Sequence, residues 1–227
     1  MPNKRLSYLT VVLIVLFSMT ISGCSITFQK GRLSDFEKIK SLNNENEVLN
    51  ARLEKLQQQK EDEISGLEKT QKLLEEKLQK EIGDKDVRVE MAERGLAIVF
   101  LAEVLFDSGK AEIRSEALGI LDKIVNVLKE NIGTRNIGIE GHTDNEPIKH
   151  SGWKSNWELS TSRATSVLHY LVDQKGVSPE KVAAIGYGEY RPVDTNQTAA
   201  GRRQNRRVEI VILPSNMEKI QADIDKI

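Results

Sequence analysis

A single cysteine, Cys24, stands in 227 residues, so no internal disulfide can form. The three histidines, His142, His150 and His169, build no HExxH pattern, and the C-terminal half holds no cysteine. No zinc ligand set is therefore in view, and neither a metal nor another cofactor is expected. Aromatic residues make up only 5%, against 30% charged residues, a balance that suits a small core beside a long polar helix. The net charge of −1 gives no overall argument for nucleic acid as a partner. Proline is absent from Leu33 to Ile82. No apolar run reaches the roughly 20 residues that a membrane-spanning helix needs.

The chain opens with Lys4 and Arg5, an apolar run from Leu6 to Met19, and then Ile21-Ser22-Gly23-Cys24. A basic start, a short apolar core and small residues before a cut describe a signal peptide over residues 1–23. The cysteine directly after Ser-Gly resembles the bacterial lipobox. That resemblance implies cleavage before Cys24 and acylation of the thiol and the new amine by chains such as palmitate. Two or more acyl chains anchor a protein stably where one does not. Ser25, not being aspartate, points by the same resemblance to an outer-membrane, periplasm-facing lipoprotein. The alternative is an uncleaved anchor helix with an incidental cysteine. Residues 24–32 then form the lipidated N-terminus and a linker.

Residues 33–83 read as a coiled-coil stalk. Leu42, Leu49 and Leu56 recur every seven residues, and Leu53, Leu67 and Leu74 fall on the partner track. Asn46 and Lys60 interrupt the pattern, and its register drifts near Gly66. A self-associating coil would space the rest of the chain from the membrane and multiply binding sites, which raises avidity. A solvated single helix or a disordered linker is the alternative.

Beyond Gly83 the periodicity changes. Val87, Val89 and Met91 alternate with charged residues, Arg94-Gly95 turns, and Leu96, Ile98 and Phe100 alternate again, which predicts a strand pair. Val104 to Gly109 reads as a strand end. A helix is expected over about Ser115 to Glu130, a strand from Asn136 to Gly141, and a helix from about Ser155 to Gln174 opened by the capping box Ser155-x-x-Glu158. Strands follow at Val182 to Gly186 and Arg207 to Leu213. Strands alternating with two helices that can cover one face imply a two-layer α/β (α+β) sandwich over residues 87–213, with a helical tail at 214–227.

Four blocks stand in this domain: Gly141-His142-Thr143-Asp144-Asn145, then Asn156-x-x-Leu159-Ser160-x-x-Arg163-Ala164, then Gly186-Tyr187-Gly188-Glu189, then Gly201-Arg202-Arg203-Gln204-Asn205-Arg206-Arg207-Val208-Glu209-Ile210. Together, and in this order, they resemble the OmpA-like peptidoglycan-binding domain, from about Val104 to Leu213. The form Thr143 to Ile148 with Ser155 to Ser160 is most similar to the MotB branch. The resemblance implies a βαβαβ-type fold. It implies further that Asp144 holds the ammonium of diaminopimelate in the peptidoglycan stem peptide and Arg163 its carboxylate, with Asp107, Thr143, Asn156 and Leu159 lining the same pocket. From the residues alone, a fixed acid at a strand end and a fixed arginine at a helix start suit a zwitterion, and a guanidinium grips a carboxylate bidentately. Equally, Asp144 and Arg163 could pair with each other.

The resulting expectation is a lipid-anchored envelope protein that binds peptidoglycan non-covalently, tethers membrane to wall and catalyses nothing. One rival is a motor-stator-like subunit, which needs a membrane helix with a functional acid; residues 1–23 contain none. A second is a wall-cleaving enzyme, for which Asp144 lacks a second acid at clear spacing. Trp153 and Trp157 could cover a glycan or staple a loop, and Arg202, Arg203, Arg206 and Arg207 could attract wall carboxylates or cap carbonyls. His142 is expected to hydrogen-bond in the core. Glu146 to Ser155 is longer than the glycine-bearing loop of many members, which leaves its contacts open.

Overall fold

A computed structural model describes residues 32–149 and 151–215. Cys24, His150 and positions 216–227 of the expected helical tail lie outside the described residues. The chain divides into two compact units, Met1–Ala51 and Arg52–Ile227. Helix α1 spans Leu33–Lys77, as an unbroken run of good helix formers without proline should. In the first unit the described part is this helix alone, and Leu33, Phe36, Ile39, Leu42 and Val48 are exposed along it.

In the second unit the leucines assigned to the coil seam have another use. Leu67 and Leu74 are 3% and 0% exposed and share one core with Leu78, Leu121, Ile124 and Leu128. Gly66 leaves room for Arg135: a β-carbon there would stand 2.6 Å from its Nη2. Arg135 donates from Nε to Glu63 Oε1 at 2.5 Å. The Ser215 amide and hydroxyl each donate to the same carboxylate at 2.9 Å. Burial pushes the Glu63 carboxyl up, but the hydrogen bonds from Arg135 and Ser215 outweigh it and hold the group below the usual range. The stretch read as free stalk up to residue 83 therefore packs on the domain from about Glu63 onward. A seven-residue leucine stripe has the same spacing whether it faces a coil partner or a sheet-and-helix core, and this one faces both solvent and core at different heights.

Helix α2, Gln79–Gly83, leads into the hairpin β1, Val87–Ala92, and β2, Gly95–Leu101. A short helix α3, Ala102–Leu105, replaces the expected strand end, and Phe106 keeps only an isolated bridge to Ile113. Leu105 and Phe106 are both buried, which neighbouring residues of a strand facing one core cannot be. Helix α4, Ser115–Asn131, precedes β3, Asn136–His142. Helix α5, Asn156–His169, runs on through a π-helical turn to Gln174. Then follow β4, Val182–Gly186, α6, Ala199–Asn205, and β5, Arg207–Leu213.

The five strands lie in the order β1-β2-β5-β3-β4, antiparallel except for the parallel pair β3 and β4. The α/β fold with a long N-terminal helix is thus as expected. Ile137, Ile139, Val208, Ile210 and Ile212 face the core shared with α4 and α5. Two glycines set the seat of α5. A β-carbon on Gly141 would stand 2.0 Å from the Ser160 carbonyl oxygen, and one on Gly186 would stand 2.1 Å from the Thr161 hydroxyl. Only glycine at both strand ends lets the helix approach this closely, and that approach fixes where Arg163 lies relative to Asp144.

Candidate functional site

Asp144 follows the end of β3, where the chain leaves the sheet. The loop is tied down at once: Thr143 N donates to Gly188 O at 2.8 Å. Asp144 is 6% exposed, and its Oδ1 accepts from Glu146 N at 3.2 Å. Its Oδ2 accepts from Arg206 Nη1 at 2.6 Å. No ion pair joins Asp144 to Arg163 among the described residues, so neither side chain is spent on the other.

Helix α5 supplies the facing wall. Ser155 caps it, accepting from Glu158 N at 3.4 Å. The reciprocal arm of the capping box is displaced by one residue, because Glu158 Oε2 accepts from Lys154 N at 2.8 Å. Asn156 Nδ2 donates to Glu189 Oε2 at 2.8 Å and to the carbonyls of Asp144 and Glu146 at 3.3 and 3.2 Å. Leu159 is buried on the same wall. Arg163, one turn further, leans toward the start of the helix, as helical side chains do. Its Nε donates to Lys110 O at 2.9 Å, its Nη2 reaches Asp107 O at 3.5 Å, and the guanidinium lies 5.3 Å from the centre of the Phe106 ring. Nη1 has no hydrogen-bond partner among the described residues. Burial, helped by the like charge of Arg206 and opposed by Asp144, brings the guanidinium down to about 10. A cation so poorly compensated is an anion site in waiting.

Between these walls lies a cleft of about 720 Å³. Thr143, Asp144, Asn156, Leu159 and Arg163 all line it, with Phe106, Lys110 and Arg206. The Thr143 hydroxyl is buried and has no partner among the described residues. Asp107 departs from the expected pocket set. Its carboxylate turns outward, half exposed, to Lys110 Nζ at 2.9 Å, and only its carbonyl faces Arg163. The reason is local: the turn after Phe106 brings Lys110 round to the aspartate's own side.

Trp153 takes the stapling role that the sequence left open to it, with Gly109 and not α5 as its partner: its Nε1 donates to Gly109 O at 2.8 Å at the cleft rim. The role of Asn205 was not legible. Asn205 is wholly buried and holds the opposite loop with four hydrogen bonds, to Val193 N, Asp194 N, Asp194 O and Asn196 Oδ1. Each arginine of the basic cluster is engaged: Arg202 with Asn196 O and Glu146, Arg203 with Glu103, Arg206 with Asp144, Arg207 with Glu209. They neither form a free basic patch nor merely cap carbonyls.

On the sheet face away from α5, β3 and β5 set Glu140 directly opposite Glu209. Like charges so placed repel. Arg94 contacts both and Arg207 holds Glu209 at 2.6 Å, which makes the pair tolerable. Burial pushes the Glu140 carboxyl up, but His142 and the direct bond from Arg94 together reverse this and bring it down to about 2. His142 lies between the carboxylates at 3.8 and 3.7 Å, too far to hydrogen-bond. Both its ring nitrogens are buried without a partner among the described residues, contrary to the expected core hydrogen bond; instead the ring stacks on Tyr187 at 5.2 Å. Glu140, His142 and Glu209 could converge on a cation by position. Their negative charge is already neutralised by two arginines, so a divalent ion does not fit.

Comparison with known proteins agrees with this geometry. Residues 105–206 match the OmpA family. Motility protein B of Bacillus subtilis is 46% identical over 128 residues, covering 56% of this chain and 49% of that protein, so the chain spans about half the length of that relative. The cell wall anchor of the T6SS from Pseudomonas aeruginosa is 33% identical, with a TM-score of 0.57 over 63% of this chain and 97% of that one. A putative MotB like protein from Desulfovibrio vulgaris is 26% identical, with a TM-score of 0.62 over 68% of this chain and 95% of that one. Among the described residues no helix is long and apolar enough to cross a membrane. Residues 105–206 of this chain are therefore an OmpA family domain, of a form similar to motility protein B.

Proposed function

We propose that this chain is a lipid-anchored envelope protein that binds peptidoglycan non-covalently, through the diaminopimelate of the stem peptide, and so ties an outer membrane to the wall. The observation that carries the reading is Arg163: a buried guanidinium with one face turned to an open cleft and its charge unrelieved. A carboxylate entering there gains a charge-assisted hydrogen bond in a dry setting. Asp144, across the cleft, takes the ligand's ammonium in place of Arg206, whose side chain is itself 38% exposed. The orphan Thr143 hydroxyl offers a further contact. Similarity to a protein described as a cell wall anchor supports the assignment. Binding of this kind needs no catalytic group.

The test is retention by insoluble wall. Asp144→Ala and Arg163→Ala should each weaken binding about tenfold or more while the protein stays folded. Normal retention by either folded variant removes the cleft from the account. Cys24→Ser tests the anchor separately: the variant should no longer partition into detergent, and unchanged partitioning overturns lipidation. A second reading, a stator-like wall-anchoring subunit, is favoured by the identity to motility protein B. It differs in requiring a partner membrane protein, which co-purification from native membranes would reveal.

A further inference from the structure

Two of the chain's few aromatic residues lie exposed beside the cleft, against each other. Trp157, in the first turn of α5, is 47% exposed, and Tyr190 is 64% exposed. Their rings stack at 5.0 Å between centres and 22° between planes. Gly188 lies against the indole: with φ of +55° it holds a conformation that favours glycine, and a β-carbon there would meet Trp157 at 3.5 Å. The platform is rigid before any ligand arrives. Tyr187 N donates to Gly141 O at 2.9 Å, Gly188 N to Ser160 Oγ at 3.0 Å, and Asn205 pins the loop beyond. Rigid, exposed aromatic area of this kind gives contact at little cost in ordering.

The platform is continuous with the cleft through one residue. Asn156, next to Trp157 in sequence, lines the cleft and bonds both the Asp144 carbonyl and Glu189, the neighbour of Tyr190. The two surfaces therefore keep a fixed spacing. A stem peptide is covalently joined to a sugar chain, so a peptide held in the cleft presents its sugars at the rim. Aromatic rings suit the apolar C–H face of a sugar, and they carry no charge that would select an ion instead.

We propose that Trp157 and Tyr190 form a glycan subsite, taking the disaccharide that bears the stem peptide. The inference rests on the peptide reading of the cleft. It makes the recognised ligand the junction of peptide and sugar, not the free peptide.

The full chain in detergent is titrated with three probes: the stem peptide alone, the same peptide on its disaccharide, and glycan strands stripped of peptide. The wild type should prefer the disaccharide peptide over the bare peptide by about five- to tenfold. Trp157→Ala with Tyr190→Ala should abolish that preference and leave bare-peptide binding within about twofold, and Tyr190→Phe should retain it. Equal wild-type affinity for the two peptides, or a preference that survives the double substitution, overturns the subsite. Failure of the bare peptide to bind the wild type instead overturns the cleft reading. The stripped strands then decide the platform by themselves: weak retention lost in the double variant upholds it, and no difference rejects it.

Discussion

Arg163→Met puts the reasoning about the cleft under its hardest strain, because the two roles open to this arginine predict opposite signs of stability. Burial takes the guanidinium well below its ordinary range, to about 10, so the folded chain holds this charge at a cost of about 3 kcal/mol. Methionine fills a similar volume and removes that cost. It also forfeits the Nε–H bond to Lys110 O, about 1 kcal/mol, and some contact with Phe106. The balance is a gain of about 1–2 kcal/mol, or a melting temperature higher by roughly 2–6 °C. Wall retention should meanwhile fall about 10- to 150-fold, the loss of a hydrogen bond to a charged group. Arg163→Lys should recover part of the binding, since it restores the charge without the planar fork. The assay is a thermal melt and a wall pull-down on the same samples. A variant that melts well below wild type and still binds the wall normally would show a structural strut, and the cleft would lose its main argument.

Arg206→Ala should strengthen wall binding severalfold, because it frees Asp144 for a ligand ammonium, at a stability cost of about 1 kcal/mol; weakening as deep as that of Asp144→Ala would make Arg206 a positioning residue instead. Leu74→Ala should destabilise the domain by about 2–5 kcal/mol, read as a lowered denaturant midpoint, whereas a residue of a free stalk would leave the midpoint unmoved. Glu140 titrates near 2 in the folded chain, below its unfolded value of 4.5. Its contribution, about 3 kcal/mol, is therefore complete above about pH 4.5 and is lost as pH falls toward 2. Glu140→Gln should flatten that acid limb of the stability curve, and an unchanged limb would refute the assignment.

The five strands and the helices α4 and α5 were legible because their periodicities are unambiguous: Leu96, Ile98 and Phe100 alternate, and α4 carries its apolar stripe at helical spacing; the short helices α3 and α6 carry too few residues to show one. The approach of Asp144 and Arg163 to one cleft was legible through the four blocks. What escaped was partner choice. Nothing in the spacing of Leu67 and Leu74 distinguishes a second helix from the domain's own core. Asp107 was placed by its resemblance, but one turn of chain turned its carboxylate toward Lys110. Arg206 looked like one member of a basic run, and its role depends on the antiparallel register that brings the start of β5 beside the end of β3. Such long-range pairings are decided by topology, and local pattern carries no trace of them.

The seat of α1 on the domain also bears on how the molecule carries load. β1 is an edge strand with a single neighbour, and a pull on its N-terminal end would peel its hydrogen bonds away one at a time. Tension arriving along α1 instead meets the Glu63–Arg135 bond and the interlocked leucines before it reaches β1. Arg135 immediately precedes β3, so the force passes into an interior strand with a neighbour on each side, the strand whose far end leads to Asp144. These contacts must shear together, which resists far more force than sequential peeling. In single-molecule pulling from the N-terminal side, Leu74→Ala should lower the unfolding force sharply and move the first rupture to the β1–β2 hairpin.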